Sequence, residues 1–265
     1  GTVLVGGGFS SFGATTQYRI ARLSSNGSQL VGGFGPGLLS SGTVNRIVKL
    51  PGGKLLAGGS FTHVNGSSRA GLARLNADGS FDFAFNGAGA GAVGTVNDVV
   101  VLPDGKLFIA GSISSYNGTT GSVHRLTTDG VADPSFVRTF SPSAPSRVVP
   151  LRTGNLLLLG SSLVSGTPAK TVASIMPGGG VDTDFVQGAT SDGIPLAAVV
   201  QSDGKIIVAG SFSAYNGVPR ERIVRLHPNG AVDESFAPRV DGTVNALVLR
   251  PDGTILLAGD FFAIN

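Results

Sequence analysis

The segment LPDGKLFIAGSISSYNG (residues 102–118) returns almost unchanged as QSDGKIIVAGSFSAYNG (residues 201–217). In both copies an Asp-Gly pair is followed by an apolar run and then by Ala-Gly-Ser. Asp-Gly between two apolar runs is typical of a β-hairpin turn, because both residues tolerate the positive φ that such turns require. Since nearly the same residues recur in both segments, we interpret the segment as a hairpin used in several repeats and not as an active-site loop.

The same elements appear at a regular spacing along the whole chain. The glycine of the second strand recurs every 49 to 52 residues, at Gly7, Gly59, Gly111, Gly160, Gly210 and Gly259. About ten residues after each copy comes a third apolar element, then another turn, then a short element that ends in phenylalanine. Each repeat therefore contains three clear strands and a weaker fourth, which is the size of a propeller blade.

We predict an all-β fold, a β-propeller of four-stranded antiparallel blades with five complete repeat equivalents plus part of another. Residues 1–265 are expected to form a single propeller domain. The predicted repeats cover residues 1–42, 43–94, 95–145, 146–193, 194–242 and 243–265. Second strands number six while first and third strands number five each, so we expect a fragment of a longer repeat protein.

Composition excludes several classes of protein. At 41% hydrophobic and 13% charged residues the chain is not a charge-rich disordered protein. The net charge of +3 comes from scattered arginines, so no nucleic-acid partner is expected. The chain has no cysteine, which excludes disulfides and thiol chemistry. Its apolar runs are too short to cross a bilayer, so no membrane insertion is expected.

The repeat unit resembles a known pattern. Its consensus, V..V.V.PDGK..VAGSF..YNG....RI.RL..DG..D.SF, is similar to the delta-60 repeat of mainly bacterial, often large and exported proteins. The resemblance covers essentially the whole chain and is weakest in residues 146–193. It implies a tandem β-propeller, whereas the biochemical role of the family is largely undefined.

Arginines and aspartates share fixed places in the repeats. We predict that they form partly buried pairs that brace each blade, because a buried guanidinium must be paired. The predicted pairs are Arg74 with Asp82, Arg125 with Asp133, and Arg225 with Asp233. Two repeats depart from the pattern, with Leu30 in place of the aspartate and Ser174 in place of the arginine. A ring of arginines that binds a ligand is the functional alternative.

The loop between the second and third strands carries the candidate ligand-binding residues. Tyr116, Asn117, Tyr215 and Asn216 are expected on one rim of the propeller, where loops tolerate variation on a rigid scaffold. An exposed tyrosine there would stack on a sugar or anchor a partner. The alternative is an Asn-Gly turn held by an inward-facing aromatic ring.

No catalytic, metal or cofactor site is predicted. The histidines fall at three different places in the repeat and do not converge as metal ligands must. Lys54, Lys106 and Lys205 directly follow hairpin turns and are interpreted as turn residues. The serines of the Ala-Gly-Ser segments have no repeated histidine partner, so a nucleophilic triad has no support.

These observations favour a non-enzymatic repeat scaffold or protein-interaction module of a secreted or surface-exposed bacterial protein. Its partner, protein or glycan, is not identified by the sequence. One alternative is a lectin-like propeller that binds carbohydrate through rim aromatics. A third is a propeller hydrolase or lyase, which should break the repeat by gathering unlike polar residues at one place.

Overall fold

The computed structural model describes residues 2–13, 15–28, 41–140, 142–160, 170–185 and 190–265. Within these residues all regular structure is β, apart from one 3-10 turn at Pro51–Gly53. The chain divides into two compact units, Gly1–Pro134 and Ser135–Asn265. Leu30 lies outside the described residues.

The described part of the first unit contains thirteen strands. They are β1 (Val3–Gly6), β2 (Ser11–Phe12), β3 (Thr15–Thr16), β4 (Ile20–Leu23), β5 (Val44–Lys49), β6 (Leu55–Gly59), β7 (His63–Val64), β8 (Ser67–Ser68), β9 (Leu72–Leu75), β10 (Ala92–Val101), β11 (Leu107–Tyr116), β12 (Thr119–Thr120) and β13 (Val123–Leu126).

The second unit contains ten strands among its described residues. They are β14 (Arg147–Pro150), β15 (Leu156–Leu159), β16 (Val172–Ile175), β17 (Pro195–Val200), β18 (Ile206–Gly210), β19 (Ala214–Tyr215), β20 (Val218–Pro219), β21 (Ile223–Leu226), β22 (Thr243–Leu249) and β23 (Ile255–Asp260).

One antiparallel arrangement recurs in both units. The second strand of a repeat pairs with the first strand on one edge and with the third on the other, as in β5-β6-β9, β14-β15-β16 and β17-β18-β21. The weaker fourth strand is reduced to a single antiparallel bridge to the third strand, for example Leu75 with Phe81. The two-stranded sheets β1-β4 and β22-β23 contain only part of this set.

The hairpin between the first and second strands has the turn that the sequence predicts. Gly105 lies at φ 82° and its amide donates to the Leu102 carbonyl, while the Leu102 amide donates to the Lys106 carbonyl. Gly204 repeats this conformation at φ 85° in the second unit. The recurrent Asp-Gly pairs are therefore hairpin turns.

The glycine of each Ala-Gly-Ser segment lies beside a bulge in the first strand. A β-carbon added at Gly111 would lie 2.1 Å from the Thr95 carbonyl oxygen, next to the irregularity between Val96 and Asp98. Gly59, Gly210 and Gly259 occupy the same place beside equivalent bulges. This close approach of two backbones is the reason for a glycine at this position.

The core of each unit lies between successive sheets. In the first unit, Leu56 of β6 packs in one buried cluster with Val99 of β10 and Leu107 of β11. In the second unit, Leu157 of β15 packs with Ile206 and Val208 of β18. The sheets thus bury apolar side chains on their faces and leave polar contacts to the turns and strand ends.

Candidate functional site

Three aspartates at the same place in their repeats each accept hydrogen bonds from one lysine and one arginine. At Asp82 the Oδ2 atom lies 2.7 Å from both Lys54 Nζ and Arg74 Nε. The corresponding distances are 2.9 and 2.9 Å for Asp133 with Lys106 and Arg125, and 2.8 and 2.8 Å for Asp233 with Lys205 and Arg225. We call these three groups the charged triads.

The repeat fold itself brings the three side chains together. The lysine lies between the hairpin turn and the first residue of the second strand, and the arginine lies on the third strand, with Arg74 opposite Leu56. The aspartate follows the bridge residue, and its amide donates to the arginine carbonyl at 3.0 Å in the case of Asp82 and Arg74. Three separate segments therefore converge on one carboxylate.

The carboxylates of Asp82 and Asp233 are held in the ionised form. Burial by itself raises the pKa of Asp82, but the hydrogen bonds from Lys54 and Arg74 outweigh it and lower this pKa below its ordinary value. The hydrogen bonds from Lys205 and Ser235 lower the pKa of Asp233 strongly. A carboxylate that accepts charge-assisted hydrogen bonds favours its charged form.

The arginines also contact aromatic rings. The Arg74 guanidinium lies 4.7 Å from the centre of the Phe85 ring, and Arg225 lies at the same distance from Phe236. The recurrent phenylalanine of the fourth element is thus a stacking partner of the arginine in these two repeats.

The fourth repeat holds the same carboxylate with uncharged donors. Asn155 Nδ2 lies 2.8 Å from Asp182 Oδ2, and Ser174 Oγ lies 2.9 Å from the same oxygen. The Asp182 amide still donates to the Ser174 carbonyl at 2.9 Å. This group keeps the geometry of the charged triads, while uncharged donors replace both cations.

The structure therefore brings each predicted arginine and aspartate together, and it adds a lysine that sequence reasoning assigned only to a turn. The lysine precedes the aspartate by 27 or 28 residues in all three repeats. This constant spacing is the signal that would have identified the lysine as a third member.

The two loop tyrosines do not form an exposed rim site. Both side chains are completely buried, and the Tyr116 hydroxyl donates to the Gly130 carbonyl at 2.6 Å. Burial raises the pKa of both hydroxyls. The ligand-binding assignment of Tyr116 and Tyr215 is corrected, because each ring fills the space between strands and is not available for stacking on a sugar.

The neighbouring asparagines hold the loop backbone. Asn117 and Asn216 lie at φ 47° and 51°, a conformation that asparagine tolerates better than most residues. Asn117 Oδ1 accepts from the Gly91 amide and Asn216 Oδ1 from the Thr190 amide, each at 2.9 Å. Their side-chain oxygens therefore hold the loop backbone in place by hydrogen bonds.

Two further arginines were missed by sequence reasoning. Arg19 and Arg222 lie at φ 66° and 70°, where the second repeat has Gly71 at φ 70°. The Nη1 atom of Arg222 donates to the carbonyls of Ser211 and Phe212 at 2.8 and 3.0 Å. These bonds compensate for the strained backbone. The glycine at position 71 of the second repeat was the signal that the sequence offered.

The histidines lie apart from one another in the repeat. His124 is buried and its Nε2 lies 2.8 Å from the Gly121 carbonyl oxygen, whereas His63 is exposed. Within the described ranges no group of three His, Cys, Asp or Glu side chains could hold a metal ion. None of the helices in that part of the chain is long and apolar enough to span a bilayer.

Repeated antiparallel sheets of this size are typical of the β-propeller class. The sequence model described as "Domain of unknown function (DUF5122) beta-propeller" matches residues 1–29, 51–85, 102–136 and 201–236, just over half of the chain. The chain belongs to this DUF5122 β-propeller family. The match confirms the predicted repeat family and the all-β propeller fold.

Solved structures of other proteins share the fold at low sequence identity. A protein of unknown function from Bacteroides caccae has a TM-score of 0.56 and 16% identity, with 97% of this chain and 81% of that chain covered. A streptogramin B lyase has a TM-score of 0.54 and 16% identity, with 90% and 68% covered. A gluconolactonase from Xanthomonas campestris has a TM-score of 0.54 and 15% identity, with 91% and 75% covered.

At these identities the likeness shows the fold alone. No curated protein matches the sequence of this chain.

Proposed function

We propose that this chain is a non-enzymatic repeat scaffold that binds protein partners through β-sheet surface. The observation that carries the proposal is that the repeated ionisable side chains are used within their own repeats as triads. The sheet β22-β23 is the surface at which partner binding is tested. An extracellular or cell-surface location remains a prediction from the resemblance to exported repeat proteins.

The sheet β22-β23 exposes side chains that are buried elsewhere. Leu256 is 42% exposed, whereas Ile207, at the same place in β18, is 0% exposed. Val248 on the paired strand β22 is 55% exposed, and Phe262 after β23 is fully exposed. Leu256 and Val248 are cross-strand partners, and exposed apolar neighbours of this kind are typical of an interaction surface.

The same sheet also has a free strand edge. Strands β6, β15 and β18 each pair with a neighbour on both edges, whereas β23 pairs only with β22 among the strands of the described residues. An unpaired edge presents backbone donors and acceptors to another strand. Strand addition at β23 would therefore satisfy hydrogen bonds and cover apolar side chains together.

The partner that fits this surface is a strand of the same repeat class. The third strands β9 and β21 have the sequences LARL and IVRL, and each pairs antiparallel with the second strand of its repeat. A protein segment of this pattern would lie along β23 in the register that β21 adopts on β18.

A labelled peptide with the sequence of residues 218–236 tests the proposal by fluorescence anisotropy. We expect saturable binding to the chain, weakened at least about tenfold by Leu256→Asp, because a carboxylate would be buried against apolar side chains. The matched control is Val131→Asp, which changes another exposed valine outside β22-β23. Equal binding of a scrambled peptide, or equal loss in both variants, would overturn the proposal.

A further inference from the structure

One cleft in the second unit gathers residues that break the repeat. It has a volume of about 450 Å³ and its lining includes Arg152, Gln201, Ser202, Arg250 and Asp252. This volume is within the range of small-molecule sites. The residues come from three hairpin turns between first and second strands.

The corresponding turns of the first unit are apolar at these positions. They begin with LPGG at residues 50–53 and LPDG at residues 102–105, whereas the second unit has LRTG, QSDG and RPDG. Leucine is thus replaced by Gln201 and Arg250, and proline by Arg152 and Ser202. All four polar replacements line the same cleft.

These replacements are not explained by packing. Leu50 and Leu151, at the first turn position, pack against the buried clusters of their units. Arg250 places an exposed polar group at this position, and Gln201 buries its Oε1 atom without a hydrogen-bond partner among the described residues. A turn needs only its glycine and a preceding residue that accepts the turn conformation, so the turn itself does not require polar residues at these positions.

The guanidinium groups of Arg152 and Arg250 have N–H groups that donate no hydrogen bond among the described residues. Arg152 Nε donates to the Gln201 carbonyl at 3.0 Å, which holds this side chain against the neighbouring turn. Its two terminal nitrogens, and the whole guanidinium of Arg250, donate no hydrogen bond to any residue of the described ranges. Guanidinium groups match the planar geometry of oxyanions.

We propose that this cleft binds a small hydroxylated carboxylate, with Arg152 and Arg250 donating to the carboxylate. Asp252 accepts from the Thr254 amide at 2.9 Å and is ionised, which disfavours a multiply charged anion such as phosphate. The Asp252 and Gln201 side chains and the Ser202 hydroxyl are groups that bond hydroxyls. The site goes beyond the scaffold function and does not depend on it.

Isothermal titration calorimetry with glucuronate, glucose and inorganic phosphate tests the site. Glucuronate and glucose differ by the carboxylate, so we expect binding of glucuronate and at least about tenfold weaker binding of glucose. Arg250→Leu restores the leucine of the other turns, and it should weaken glucuronate at least about tenfold without loss of thermal stability. Arg152→Gln should weaken it similarly.

The matched control is Arg239→Gln, which removes an exposed charge from the same unit outside the cleft. This variant should bind glucuronate as the wild type does. Absence of glucuronate binding, a preference for phosphate, equal binding of glucose, or an equal loss in Arg239→Gln would each overturn the proposal. These results are independent of peptide binding to β23, so the two proposals can fail separately.

Discussion

The second and fourth repeats hold an aspartate at the same backbone position with different chemistry. Asp82 accepts from two cations, whereas Asp182 accepts from an amide and a hydroxyl at almost the same distances. The repeat therefore requires two donors to its carboxylate but does not require that they carry charge. The fold positions the donors, and the residue type decides how strongly they bind.

The charged version also reaches beyond its own repeat. Arg74 Nη1 donates to the Thr128 carbonyl at 2.8 Å, in a turn of the following repeat, and Arg22 reaches Ala77 in the same way at 2.7 Å. Ser174 is too short for such a bond. The arginine thus joins successive repeats, while the aspartate holds its orientation.

The largest effect is expected when the shared acceptor is removed. Asp82→Ala leaves the Arg74 side chain, which is only 12% exposed, without its carboxylate. We expect a loss of about 3 kcal/mol in the free energy of unfolding. Asp182→Ala removes two neutral hydrogen bonds and should cost about 1 to 2 kcal/mol. Urea denaturation of both variants measures the difference, and equal losses would contradict a role for charge.

Low pH should remove the contribution that the ionised Asp82 makes to the free energy of unfolding. Because the folded-state pKa of Asp82 is lowered below 3.8, its contribution is present above that pH and is lost as the pH falls through the folded-state pKa. The stability advantage of the wild type over Asp82→Asn should therefore shrink between pH 7 and the strongly acidic range. Unfolding measured in urea across this range tests the expectation.

A variant of the second repeat built after the fourth provides the control. Lys54→Asn with Arg74→Ser keeps Asp82 but removes both cations that lower its pKa. The stability that is lost when Asp82 becomes protonated at low pH should be smaller in this double variant. An unchanged pH profile would mean that the two cations do not stabilise the ionised carboxylate.

The repeat and the arginine–aspartate pairs could be predicted from the sequence, but the lysine of each charged triad and the cleft could not. The period, the Asp-Gly turns and the Arg74–Asp82 partnership were predictable, because turn conformation and burial of a guanidinium restrict residue choice. Lys54 was missed because a lysine that follows a turn is as stable in solvent as it is beside a carboxylate. The orientation of Tyr116 could not be decided, since a tyrosine is stable with its ring buried or exposed. The Arg250 cleft was missed because its residues lie in turns that already had an explanation.

The two buried tyrosines differ in whether the side-chain hydroxyl has a hydrogen-bond partner. Tyr116→Phe removes the bond to the Gly130 carbonyl and should cost about 1 kcal/mol. The Tyr215 hydroxyl is buried without a hydrogen-bond partner among the described residues, so Tyr215→Phe should cost much less. Thermal unfolding of the two variants side by side measures this difference. A larger loss for Tyr215→Phe would show that its hydroxyl has a partner after all.

The smallest effect is expected for the lysine of a charged triad. Lys54 is 42% exposed, so water screens its attraction to Asp82, and ordering its long side chain costs entropy. Lys54→Met should lower the free energy of unfolding by about 0.5 kcal/mol or less, and high salt should reduce the difference further. Arg74→Met, measured under the same conditions, should cost more, because the arginine is more buried, stacks on Phe85 and bonds to the next repeat. Equal losses in the two variants would show that the triad depends on the number of cations and not on their position.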